Sequence, residues 1–313
     1  MSEAKQFSQA IEQFEVALRL CPEDENAALD LIQTTVDGKD YAKTESAAKA
    51  LLEHHPQSET GQVFLAYSYL LQGKSQDAAK TLQKLLAQDD KNPDALKLMA
   101  LALYFYKEYV LAEKMFRAAL ALRPGDKRAL YALGRVYQTQ NNFPPAIQCF
   151  KKLIARDPYY YRAYVNLALC YEALGKMEDA DSMFKTGEQV ASKVNPSYDW
   201  AYAGHAEMLI KWGRTSEALQ CIERAVQIDP RSARDQLLLG KVLLAKDDLP
   251  GAEEHLRMSV QLNEQLPEAH YLLGRVYLKK NEPAEAQQEF ARFKRLSQRT
   301  HGPSAGPSDS DRE

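Results

Sequence analysis

A chain of 313 residues is long enough for one large domain or two ordinary ones, and its 45% hydrophobic and 27% charged residues suit a folded chain. A formal net charge of −3 provides no basic field to draw the whole surface toward nucleic acid or anionic lipid, so neither is expected as a partner. The longest uncharged apolar run, Leu98 to Tyr106, has nine residues, whereas a membrane-crossing helix needs about 20; no membrane span is expected.

The N-terminal stretch MSEAKQFSQAIEQFEVALRL carries charges throughout and lacks the apolar core and cleavage site of a signal peptide, so the expected compartment is the cytoplasm. Cys21, Cys149, Cys170 and Cys221 lack CxxC spacing and read as reduced thiols in small core positions. Ala10, Phe14, Ala17 and Pro22 share the spacing of Ala146, Phe150, Leu153 and Pro158 farther on. Residues 1–24 therefore read as half of a repeat, one helix over 5–20 without its partner. That helix either caps the array or continues a repeat whose first half lies upstream, and missing upstream sequence is the favoured expectation.

From residue 25 onward the chain is periodic. Pro22 and Pro56 are 34 residues apart, as are Pro124 and Pro158, and Pro196 and Pro230, while Pro158 to Pro196 is 38, which places a four-residue insertion near 192–195. Leu133, Gly134, Tyr137, Ala146 and Phe150 recur as Leu273, Gly274, Tyr277, Ala286 and Phe290, 140 residues later. Units start near 25, 59, 93, 127, 161, 199, 233 and 267, and each splits into two apolar-periodic helices of about 14 residues. Gly73, Gly175, Gly213, Asn141, Asp247 and Asn281 stand at the break between them, where a left-handed backbone ends the first helix. Ala66, Ala100, Gly134, Ala168, Ala206, Gly240 and Gly274 on the first helix face Ala78, Ala112, Ala146, Ala180, Ala218, Ala252 and Ala286 on the second, allowing close approach. The unit from Glu25 is the most divergent, with Thr44 and Ala48 where Ala and Phe are expected. His205 reads as a partly buried core histidine.

The 34-residue period, the L-G-x-x-Y and A-x-x-x-F cores and the terminal proline resemble tetratricopeptide repeats over residues 1–298. The resemblance implies an all-α, right-handed superhelical solenoid of stacked antiparallel helix pairs, eight complete repeats plus one N-terminal half repeat. Residues 299–313, THGPSAGPSDSDRE from position 300, are expected to form a disordered tail.

In this family the first helices line a concave groove in which extended peptides lie. Positions 4, 8 and 11 of each first helix form the stripe toward its partner helix, so positions 2, 5, 9 and 12 lie opposite. The groove candidates in chain order are Phe64, Tyr67 and Leu71, then Leu101, Tyr104 and Phe105, all apolar or aromatic. Arg128, Tyr131, Arg135, Arg162 and Asn166 follow, then Arg234, Lys241 and Arg275, giving a mostly basic C-terminal portion. A ligand with bulky apolar groups at one end and carboxylates at the other would match. Leu101 and Phe105 are equally placed to pack between adjacent first helices, and the arginines to form a solvated face. The family's carboxylate clamp is not carried over, because Tyr131 and Arg135, and Trp200 and Gly204, stand where its Lys, Asn and Arg would be; Asn166 alone matches.

No nucleotide-loop, zinc-protease, nucleophile-elbow or EF-hand motif occurs. His54 and His55 point about 100° apart on a helix and make poor joint ligands. Neither catalysis, a cofactor nor a metal site is expected. The expected function is a protein-interaction scaffold or adaptor that binds a peptide or protein segment in its groove. The alternative is a repeat arm or C-terminal fragment of a larger multidomain protein, enzyme-recruiting or export-assembling, and self-association through uncapped ends is a further expectation.

Overall fold

The computed structural model describes residues 2–300, and every element among them is an α-helix. The described chain falls into two compact units divided after Cys149, 2–149 and 150–300; Met1 and the expected tail beyond Thr300 lie outside the described residues. The first unit holds α1 (Ser2–Leu20), α2 (Glu25–Asp37), α3 (Tyr41–His54), α4 (Glu59–Leu71), α5 (Ser75–Gln88), α6 (Pro93–Phe105), α7 (Tyr109–Leu122) and α8 (Lys127–Thr139). The division falls within α9 (Phe143–Arg156). The second unit continues with α10 (Tyr161–Ala173), α11 (Met177–Val194), α12 (Trp200–Lys211), α13 (Thr215–Ile228), α14 (Ala233–Ala245), α15 (Leu249–Leu262), α16 (Pro267–Lys279) and α17 (Pro283–Thr300).

Local chemistry sets these boundaries. Asp24, Ser58, Asn92 and Asp126, spaced by 34, cap α2, α4, α6 and α8 by accepting a backbone N–H three residues on. Pro56, Pro124, Pro158, Pro196 and Pro230 each stand two residues beyond the end of a second helix, where they stop its continuation. The inserted residues do not form a loop. They lengthen α11 to 18 residues, against 14 in α13 and α15.

At the break inside each repeat the chain turns through a left-handed residue: Gly73, Gly175 and Gly213 have φ of 75°, 70° and 74°, and Asn141, Asp247 and Asn281 have 55°, 63° and 61°. Lys39 and Lys107 occupy the same place at 58° and 63°. The small residues permit the close approach expected of them. A Cβ on Gly240 would lie 2.6 Å from Leu256 Cγ, and one on Gly274 would lie 2.8 Å from a Phe290 ring carbon. Ala66, Ala78, Ala100, Ala112, Ala206, Ala218 and Ala252 are fully buried, and Phe116 and Phe184 fill the space beside them.

The divergent repeat fills its core differently. Thr44 and Ala48 are both fully buried, and the Thr44 hydroxyl donates to Thr35 Oγ1 at 3.0 Å. Thr35, which stands where later repeats have Tyr137, Tyr171 and Tyr277, donates onward to the Ile32 carbonyl. Thr35 and Ala48 thus stand where later repeats have Tyr and Phe, and the Thr44-to-Thr35 hydrogen bond leaves neither buried hydroxyl unsatisfied.

Candidate protein-binding faces on the first helices

Within each unit the first helices of successive repeats touch: α2 with α4, α4 with α6 and α6 with α8, then α10 with α12, α12 with α14 and α14 with α16. Among the described residues, the successive second helices α3, α5 and α7, and likewise α11, α13, α15 and α17, bring no Cα atoms within 8 Å of one another. The first helices therefore form the more tightly packed wall of each unit, and their side chains line it continuously.

In the first unit that wall is aromatic. Tyr67, Leu101 and Phe105 are half-buried against the cluster of Ala66, Leu70, Leu82, Ala95 and Leu98, while Phe64 packs on Ala28, Ile32 and Leu51. Leu71 is half-buried at the end of α4. These side chains support the helix stack and still present an edge to the surface. The Tyr104 ring meets Phe105 edge-on at 5.8 Å and lies tilted against Tyr109 at 5.7 Å. Burial pushes the Tyr67 phenol above its usual range, against the pull of the Arg128 and Lys97 charges. Arg128 is exposed, and Tyr131 and Arg135 are half-buried on the same helix.

A charged group was overlooked from sequence because its members look like ordinary capping residues. Lys97 Nζ lies 2.9 Å from both Asp94 Oδ1 and Asp126 Oδ2, and Arg123 donates to Asp94 at 2.6 Å. Burial works against the Lys97 charge, yet the bonds from Asp126 and Asp94 outweigh it and hold the ammonium above its usual range. The cap of one repeat is thereby tied to the first helix of the repeat before it.

The second unit is mixed in sign where sequence suggested a basic surface. The Arg162 guanidinium sits over the rings of Tyr161 and Tyr198 at 5.9 and 5.8 Å. Asn166 is buried and donates to the Arg162 carbonyl at 2.8 Å. Arg234 stacks on the exposed Trp200 ring at 4.2 Å and bonds Glu207 at 2.7 Å. Lys241 pairs with Glu268 at 2.6 Å, Lys211 with Glu172 at 2.9 Å and Lys279 with Asp247 at 2.6 Å. Arg275 lies over Tyr271 at 5.9 Å. The Arg162–Tyr198, Arg234–Trp200 and four ion-pair contacts join residues about one repeat apart, a relation hidden when each helix is read alone.

Beside Arg234, the Asp235 side chain is fully buried and neither carboxylate oxygen meets a hydrogen-bond donor. Burial and the neighbouring Asp199 carboxylate push its pKa up to about 7. His205 is buried at 1% exposure, deeper than sequence suggested, with Nδ1 2.7 Å from Glu188 Oε1 and Nε2 3.0 Å from Asp181 Oδ1. Cys221 Sγ lies 3.6 Å from the same Nδ1, and burial and the Glu188 charge push its thiol up to about 12. The three helices that supply this cluster conceal it from a linear reading.

Models of the tetratricopeptide repeat match residues 35–102, 98–144, 131–180, 159–231, 209–267 and 267–299. The chain is 22% identical over 243 residues to "Tetratricopeptide repeat-containing protein trd-1" of Caenorhabditis elegans, which covers 75% of this chain and 30% of that protein. It is 23% identical over 239 residues to "Anaphase-promoting complex subunit 3" of Schizosaccharomyces pombe, covering 76% and 35% of the two chains. It thus spans about a third of the length of these relatives. One relative bears an enzyme's name, the human "Protein O-mannosyl-transferase TMTC3", with 21% identity over 55% of this chain and 20% of that protein. Among solved structures, the fold matches a tetratricopeptide repeat protein from Parabacteroides merdae with TM-score 0.61 and 22% identity, over 80% of this chain and 98% of that one. It also matches the APC/C hetero-tetramer Cut9-Hcn1 with TM-score 0.67 and 17% identity, over 86% and 52%. No helix among the described residues is long and apolar enough to cross a membrane. With repeat models matched along most of its length and paired helices throughout, the chain belongs to the tetratricopeptide repeat family.

Proposed function

We propose that this chain is a non-catalytic scaffold whose first-helix faces hold a segment of a partner protein. The observation that carries the reading is the asymmetry of the packing: first helices touch from repeat to repeat and second helices do not, so one face of each unit presents an unbroken row of side chains. On that face of the first unit, Tyr67, Tyr104 and Phe105 combine anchored aromatic area with a neighbouring exposed arginine, Arg128. Aromatic and arginine side chains supply much of the energy of protein interfaces because they bury area and direct hydrogen bonds. The names of the relatives fit, since they include an anaphase-promoting complex subunit and "Hsp70-Hsp90 organizing protein 3" of Arabidopsis thaliana.

The mixed charge of the second unit favours a ligand that exchanges ion pairs with it over one that is uniformly acidic. Among the described residues no disulfide joins Cys21, Cys149, Cys170 or Cys221, which fits a reducing compartment such as the cytoplasm. A second reading, a repeat arm within a longer protein, is favoured by the chain spanning about a third of its curated relatives. Affinity capture with Arg128→Glu, Arg135→Glu and Arg162→Glu variants tests the binding faces. Recovery of at least one partner is expected to fall by about tenfold or more in a variant; the same partners at unchanged yield in all three would place binding elsewhere.

A further inference from the structure

We propose that Glu188 Oε1, His205 Nδ1 and Cys221 Sγ form a three-ligand site for a divalent transition metal ion of the zinc class, with water as fourth ligand. The three ligand atoms come from α11, α12 and α13 and all lie within 4.8 Å of one another. Zinc bonds of about 2.0–2.3 Å at tetrahedral angles set the sulfur–nitrogen and sulfur–oxygen edges near about 3.6 Å and the nitrogen–oxygen edge near about 3.3 Å. The corresponding separations here are 3.6 Å from Cys221 to His205, 3.9 Å from Cys221 to Glu188 and 2.7 Å from His205 to Glu188. Only the last edge must open, by roughly 0.6 Å for that tetrahedron, and it is the hydrogen bond that an ion would replace.

The surroundings prepare the ring for coordination. Asp181 Oδ1 takes the other imidazole nitrogen at 3.0 Å, the outer carboxylate contact that fixes tautomer and orientation in metal-bound histidines. Asp181 is itself held by Lys185 at 2.7 Å and by Arg214 at 3.3 Å. Phe184 stacks on the imidazole at 5.2 Å with planes 9° apart, so the ring cannot swing away without losing that contact.

The donor count at the ring also points to a cation between His205 and Glu188. A neutral imidazole has one N–H and here faces two carboxylates; if it donates to Asp181, its Nδ1 lone pair points at a Glu188 oxygen. Either a proton or a metal ion resolves that opposition. When the ion binds, the Cys221 thiol gives its proton to solvent and the thiolate and Glu188 carboxylate balance the two positive charges. Thiolate with imidazole selects zinc-like ions over magnesium or calcium, which take oxygen donors. The ion would join the second helix of one repeat to both helices of the next, at the junction where α11 carries its additional turn.

Cobalt(II) titration of the reduced full-length protein tests the site. A thiolate-to-cobalt charge-transfer band saturating at a single equivalent is expected, displaced by zinc, and unchanged in Cys21→Ser. The band should be lost in Cys221→Ser and in His205→Gln, each checked for retained helix by circular dichroism. In Asp181→Asn, a positioning change, zinc affinity should drop by about 10–100-fold with the band retained at saturation. Equilibrium dialysis showing no stoichiometric zinc on the wild-type protein, or a band that survives in Cys221→Ser, would overturn the site and leave the hydrogen-bonded histidine as its whole role. The dialysis result needs no variant to fold.

Discussion

Position in the repeat outranks residue type at the breaks between paired helices. Gly175, at φ 70°, has nothing within 4 Å of an added Cβ, so Gly175→Ala isolates the backbone cost. A loss of about 1 kcal/mol is expected. Lys107, at φ 63°, should respond in the opposite sense, with Lys107→Gly gaining about 0.5 kcal/mol because glycine's greater unfolded-state freedom offsets part of the relief. Urea unfolding with local hydrogen exchange measures both, since repeat arrays need not unfold in one step. The glycine, asparagine and aspartate breaks were legible in sequence because those residue types tolerate the conformation. Lys39 and Lys107 were not, since only their distance from the other breaks marks them. Asp235 provides a pH test at the same scale. Its folded pKa is raised from the ordinary carboxylate value to about 7 by burial and by Asp199, against the pull of Arg234. The folded state then binds the proton more tightly than the unfolded chain, so this group's contribution is most favourable at low pH and stability falls as pH rises through that window. Asp235→Asn should flatten the slope and stabilise the protein above neutral pH by on the order of 2–4 kcal/mol, read from unfolding midpoints across pH. An unchanged slope would show that Asp235 does not hold its proton.

Paired helices are held at their separation by what is absent from one side chain and present on the other. Gly240 leaves room for Leu256, and an added methyl at 2.6 Å from Leu256 Cγ meets the branch point of a fully buried side chain. Gly240→Ala is expected to cost about 1–3 kcal/mol and to raise hydrogen exchange in α14 and α15 first. No local change in exchange would mean that the pair tolerates a wider spacing. The alternation of small and large residues was readable because each repeat restates it. The Thr35–Thr44 bond was not, because a single departure from the pattern does not reveal what fills the space. The insertion was legible as a length and not as a shape. Four residues add one helical turn and roughly 40° more, and α11 absorbs them as helix before Pro196 ends it.

For the chain as a whole, helix order and pairing followed from periodicity, but the chemistry of the candidate faces did so only in part. Tyr67, Leu101 and Phe105 serve the stack and the surface together, because adjacent first helices lie close enough to share them. Arg234 and Lys241 looked like bare positive charge, yet Glu207 and Glu268 from neighbouring repeats answer them. Pairing across a repeat depends on rotamers and helix phase that no single segment encodes. Partner engagement on the first helices is the central claim, and hydrogen exchange on the captured complex tests it most directly. The account predicts slowed exchange in first helices, α4, α6 and α8 or α10, α12, α14 and α16, with the paired second helices little changed. Protection confined to the second helices would contradict it.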